Sequence, residues 1–174
     1  GRPPGRARSV TAALGPASLR NRYFGLRHGE SEANARGLVV ADPAHGVPGF
    51  GLTARGRTQV RASVLSAPDL GRDALIFSSD FARARESAEV AREALGAGAV
   101  RLRTALRERG FGAGELGPST LYDAIWARDR ADPDHRDRGV ESARTVRDRA
   151  WHLVHELEET LRDATVLLVS HGDP

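Results

Sequence analysis

Apolar and polar positions alternate between two rhythms along this chain. Continuous apolar stretches occur at residues 22–26, at "ALIFSS" (74–79) and at "TVLLVS" (165–170), with a weaker one near 99–103. Short unbroken runs of this kind suit strands, and the last has the pattern of a strand buried on both faces. Between them the apolar residues recur every three or four positions. Thr53 can cap a helix through about Leu65 with Val60, Val64 and Leu65 inward, and Asp80 one to about Leu95. In the second of these, Phe81, Ala84, Ala88, Ala91 and Leu95 form one stripe. A weaker helix is predicted over 119–129. A long one is predicted over 141–161, with Ala143, Val146, Ala150, Val154, Leu157 and Leu161 at helical spacing. Segments 35–51, 108–119 and 131–139 are polar or rich in Gly and Pro and read as loops. Strands alternating with helices predict an α/β fold, a three-layer α/β/α sandwich around a mainly parallel sheet.

Composition narrows the chemistry. The 174 residues suffice for one domain with a core. There is no Cys, which excludes disulfides and thiolate chemistry. No apolar run approaches membrane-spanning length. The formal net charge is +3, yet residues 1–29 carry six Arg and no acid, leaving 20 Arg against 23 acids, a net of −3, in the remainder. The basicity therefore belongs to the leader and not to a nucleic-acid groove. Residues 1–21 read as a disordered or transit-like leader, and 22–174 as the folded domain. A cytoplasmic location follows, or an organellar one if the Arg-rich leader is a transit peptide.

Two strands end alike, "YFGLRHG" and "VLLVSHG". In open parallel sheets, ligands sit beyond the carboxyl ends of strands. If the two strands are neighbours, His28 and His171 meet at one site. "SSDFARAR" brings Ser78, Ser79 and Arg83 to the same edge, and the loop after the third strand brings Glu108. Two Arg forks and two imidazoles can surround a phosphoryl group, with one neutral imidazole as nucleophile. Arg supplies the positive field, so no metal or cofactor is needed. A carboxylic acid can protonate the leaving alkoxide and then activate water. His152 and His155 are spaced for metal binding but have no evident third ligand. They, with His45 and His135, read as structural or exposed. Trp126 and Trp151 read as packing residues.

The ordered set "LRHGESEAN", "GLTARGRTQ", "FSSDFARARESA", "LRERGFG", "GVES" and "VLLVSHGD" resembles the histidine phosphatase superfamily, in its phosphoglycerate mutase-like branch. The resemblance spans residues 22–173. It implies phosphorylation of His28, a phosphate pocket of Arg27, Arg83 and His171 supported by Asn34, and Glu108 as proton donor. Ser31 is a further candidate substrate contact. The implied activity is a metal-independent phosphomonoester hydrolase acting on a small phosphorylated metabolite. The alternatives are a phosphoglycerate mutase-type phosphotransferase and an inactive relative that binds phospho-ligands.

Three departures stand out. "AGEL" follows the FG pair where many relatives have an aromatic and "EG", so Glu115 is displaced. Gly172 separates His171 from Asp173, which makes Asp173 a secondary proton-donor candidate. Relatives continue past the position of Pro174, so the C-terminal part of the fold is expected to be missing.

Overall fold

The computed structural model describes residues 19–172. The predicted leader thus falls almost wholly outside the described residues, as does Asp173. The strands are β1 (Arg22–Arg27), β2 (Leu75–Ser78), β3 (Arg101–Leu102) and β4 (Thr165–Ser170). The helices are α1 (Glu32–Ala35), α2 (Pro43–Gly46), α3 (Ala54–Leu65), α4 (Ala82–Leu95), α5 (Leu121–Ala131) and α6 (Ala143–Thr160). All four strands run parallel in the order β1-β4-β2-β3.

Alternation along the strands divides the core into two layers. Phe24, Leu26, Ile76, Leu167 and Val169 pack with Val60 and Val64 of α3 and Ala84, Ala88 and Ala91 of α4. Their neighbours Tyr23, Leu75, Phe77, Val166 and Leu168 pack with Leu153 and Leu157 of α6. Each Val, Leu or Ile fully withdrawn from water in these layers contributes roughly 1.5–3 kcal/mol. The α/β fold with helices on both faces of a parallel sheet is therefore the one that the apolar pattern predicts. β4 has neighbours on both edges, which explains its unbroken apolar run.

Local chemistry sets the helix boundaries. Thr53 caps α3 by accepting from the Gly56 N–H at 3.0 Å, and Ser142 caps α6 by accepting from Thr145 N–H at 3.2 Å. α4 ends at Gly96, whose left-handed φ of 66° closes the helix. Three expectations are corrected. Asp80 does not cap α4: its carboxylate is held by Arg107 at 2.6 and 2.8 Å, and Phe81 takes the cap position without a side-chain bond. Leu65 is 57% exposed in the last turn of α3. The segment 35–51 is not all loop, since α2 forms inside it behind an Asp42 cap and Pro43.

A polar clamp ties β1 to α6. The buried Glu158 carboxylate accepts from Arg20 N–H (2.8 Å), Asn21 Nδ2 (2.7 Å) and Tyr23 OH (2.9 Å), while Asn21 Oδ1 accepts from Ala164 N–H. Burial alone raises this carboxyl, but the donors outweigh it and hold it at about 2. Burial and the same carboxylate push the Tyr23 phenol up to about 12. No helix among the described residues is long and apolar enough to cross a membrane.

Candidate active site

The sheet order brings the two His-Gly pairs together. Arg27 of β1 lies opposite Ser170 of β4, so His28 and His171 follow in step. The His28 N–H donates to the Ser170 carbonyl at 3.0 Å, and the ring centroids lie 5.1 Å apart at 63°. Gly29 is required by its neighbour: a Cβ there would overlap the Gly56 carbonyl at the start of α3. At the other strand end, a Cβ on Gly172 would press on the Arg27 guanidinium.

His28 has a defined tautomer. Its Nδ1 lies 2.8 Å from the Gly29 carbonyl, an acceptor only, so Nδ1 carries the proton. Its Nε2 accepts from Arg83 Nε–H at 3.1 Å, so Nε2 is bare. Burial, then the Arg83 charge, lower this imidazole to about 3. The ring is neutral at physiological pH, and its one lone pair accepts the Arg83 Nε–H.

Arg83 comes from the first turn of α4 and is 3% exposed. Its Nη2 donates to the Val40 carbonyl at 2.9 Å and reaches Glu108 Oε2 at 3.4 Å. Its Nη1 has no hydrogen-bond partner among the described residues. Ser87 Oγ ties the pieces together: it accepts from Gly29 N–H at 3.1 Å and donates to the Arg83 carbonyl at 2.7 Å.

Glu108 Oε1 accepts from the Arg109 N–H at 3.0 Å, and Oε2 lies 3.7 Å from His171 Nδ1. The Glu108 carbonyl is itself held by Arg149 Nη2 of α6 at 3.2 Å. His171 is buried, and its Nε2 meets Ser79 Oγ at 2.9 Å. Burial, with the charges of Arg83 and His28, keeps it well below the usual imidazole range.

Arg27, His28, Glu30, Asn34 and Gln59 line a cavity of about 290 Å³. Asn34 Oδ1 accepts from Ser31 N–H (3.0 Å) and Ser31 Oγ (2.9 Å), which orients the amide NH₂ away from that pair. Ser31, buried in this capping box, spends its one O–H on Asn34. It is not among the residues that line this cavity. Of the candidates, His28, Arg83, Glu108 and His171 converge directly, and Arg27 and Asn34 face the adjoining cavity. Ser78 stays out, buried with its Oγ on the Ser79 carbonyl at 2.8 Å.

His28, Glu108 and His171 offer ligand atoms within 4.8 Å of one another, close enough for a metal ion. Arg83 donates to His28 and reaches Glu108 within that set. A guanidinium fixed there repels a divalent cation and attracts an anion. Within this set Arg83 Nη1 and His171 Nδ1 are buried without a hydrogen-bond partner among the described residues, and so can serve a ligand.

Sequence reasoning missed Gln59, Ser87, Phe81 and Arg149. Phe81 meets His171 edge-on at 5.2 Å and lies 5.1 Å beneath the Arg83 guanidinium. Glu115 is diverted to the backbone N–H groups of Ala41 and Asp42 and to His45. His135 is buried on Asp129 at 2.8 Å. Trp126, though 40% exposed, stacks on Tyr122 at 5.5 Å.

Paired imidazoles and arginines at the end of a parallel sheet define a class of phosphoryl-handling site, and the comparisons agree. The model of the histidine phosphatase superfamily (branch 1) matches residues 24–174. The chain belongs to that superfamily. Among solved structures, it is similar to a mycobacterial glucosyl-3-phosphoglycerate phosphatase in complex with VO3 (31% identity, 86% of this chain and 75% of that one, TM-score 0.70). It is also similar to the protein TTHB049 from Thermus thermophilus (30%, 87% and 78%, TM-score 0.62). A third is an Escherichia coli K-12 structure assigned as an alpha-ribazole-5'-P phosphatase (26%, 86% and 73%, TM-score 0.62). No curated protein matches the chain.

Proposed function

We propose that this chain is a phosphomonoester hydrolase that removes phosphate from a small phosphorylated metabolite through a phosphohistidine at His28, without a metal. The observation that carries the reading is the bare Nε2 of His28, fixed by the Gly29 carbonyl behind it and Arg83 in front. The substrate phosphate sits against Arg27, Arg83, the Asn34 amide and His171. As phosphate binds, the Arg83 Nε–H passes from His28 to a phosphate oxygen and frees the Nε2 lone pair; Nε2 then attacks phosphorus as the ester P–O bond breaks, and Glu108 in its acid form gives its proton to the departing oxygen. The cationic and N–H donors offset charge on the three equatorial oxygens during the in-line transfer. Glu108, now a carboxylate, takes a proton from water as that water attacks the phosphohistidine. Inorganic phosphate leaves, and both residues return to their starting forms. The glucosyl-3-phosphoglycerate phosphatase, and the structure assigned as an alpha-ribazole-5'-P phosphatase, support a small phosphorylated metabolite as substrate class.

The test pairs phosphate release from p-nitrophenyl phosphate, with and without EDTA, against mutase turnover with bisphosphoglycerate. Release that is insensitive to EDTA and exceeds mutase turnover is expected. Strong mutase turnover with negligible hydrolysis would transfer the site to the phosphotransferase reading, and loss of release in EDTA would end the metal-free mechanism.

A further inference from the structure

His171 has two ring nitrogens with different fates. Nε2 meets Ser79 Oγ at 2.9 Å, whereas Nδ1, buried and without a hydrogen-bond partner among the described residues, lies 3.7 Å from Glu108 Oε2. Ser79 is fully buried, and its Oγ already accepts from the Phe81 N–H at 3.3 Å. A serine hydroxyl has one proton to place. In this buried setting the acceptor available to it is His171 Nε2.

We infer that Ser79 is a positioning residue that fixes the tautomer of His171, with the proton on Nδ1 where it faces the anion and Glu108. The hydrogen-bond chain runs from Phe81 N–H to Ser79 Oγ, and from Ser79 O–H to His171 Nε2. Electrostatics at the other end of the ring favour the same assignment. A bare Nδ1 would turn a lone pair toward the substrate phosphate, while an N–H there donates to a phosphate oxygen. His171 then works as a neutral donor, and Ser79 acts through it without touching substrate. Phe81, edge-on to the same ring, restricts its rotation. The device is continuous with α4: Ser79 opens the link from β2 into the helix that supplies Arg83, so one short segment both orients one imidazole and delivers the guanidinium to the other.

The inference rests on the proposed phosphohistidine reaction for its consequence, but its first test is independent of activity. Long-range proton–nitrogen correlation spectra of the full chain, labelled with 15N-histidine, should show His171 protonated at Nδ1 and bare at Nε2. Ser79→Ala should shift that ring toward the Nε2-protonated form and lower kcat/KM for p-nitrophenyl phosphate about 100-fold. Ser79→Thr, which keeps the hydroxyl, should retain the tautomer and most of the activity. A wild-type spectrum with the His171 proton on Nε2 overturns the inference even if no variant folds. So does a folded Ser79→Ala enzyme with kcat/KM within about twofold of wild type. If label from substrate never reaches His28, the reaction is wrong, yet the wild-type spectrum still decides the tautomer.

Discussion

Arg83 and Arg109 are both buried arginines, and they are satisfied very differently. Arg109 is 1% exposed and has a complete set of strong partners. Its Nη1 and Nη2 grip Asp129 bidentately at 2.6 and 2.8 Å, and Nε donates to the Glu141 carbonyl at 2.7 Å. Asp129 is held well below the usual carboxylate range, first by that hydrogen bond from Arg109. Arg83 instead has a neutral imidazole, a carbonyl, a long contact to Glu108 and one nitrogen with no partner. A buried cation without full pairing costs stability. The comparison separates a charge that holds a fold together from one that, in the proposed reaction, receives an anion, and the two differ in how completely their donors are used.

Substituting each with methionine, similar in length but uncharged, should split activity from stability. Arg83→Met is expected to lower kcat/KM about 10,000-fold, since several transition-state donors go at once. Its unfolding free energy should change by less than about 1 kcal/mol, because an incompletely paired charge leaves with them. Arg109→Met should cost about 3–5 kcal/mol of stability by stranding Asp129 and His135, while activity per folded molecule falls less than about tenfold. Denaturant titration with parallel assays checks both, and equal stability losses at the two positions would remove the distinction.

Glu158 extends the structural side of the comparison. Glu158→Gln keeps the shape but not the charge, and should cost about 2–3 kcal/mol through weakened bonds to Arg20, Asn21 and Tyr23. Its native carboxyl, at about 2, lies below the unfolded value near 4.5. The unfolded chain therefore binds the proton first, and this contribution is present above about pH 4.5 and lost as pH falls toward 2. In the variant that part of the stability curve should flatten.

On the site side, millimolar inorganic phosphate should stabilise the wild type by about 2–3 kcal/mol when it exceeds Kd a hundredfold, and should leave Arg83→Met unaffected. His28 adds a pH dependence of its own. Its native value of about 3 lies below the ordinary 6.5, so stability declines as pH falls from about 6.5 toward 3. His28→Ala should shallow that slope in thermal melts across the same range.

The strands and long helices were legible because burial on this sheet is periodic and local, as in β4 and in the Ala84, Ala88 and Ala91 stripe of α4. His28, Arg83 and His171 were legible because each stands next to a strand end or helix start that the pattern already located, and Glu108 because it lies in the loop that follows the third strand. What failed was decided by distant residues. Asp80 is a good cap by type, but Arg107, 27 residues on, takes its carboxylate. Glu115 is drawn to backbone 73 and 74 residues away. Ser87 and Gln59 carried no signal beyond their place on polar helix turns, and only the packing of α3 and α4 against the end of β1 gives them a task.

One measurement bears most directly on the whole account. The enzyme is mixed with 32P-labelled phosphoester, quenched in alkali within a turnover, digested and mapped. The account predicts acid-labile, base-stable label on the peptide containing His28, absent in His28→Ala together with phosphate release. Label on a serine or threonine, or phosphate release that survives in His28→Ala, would contradict it.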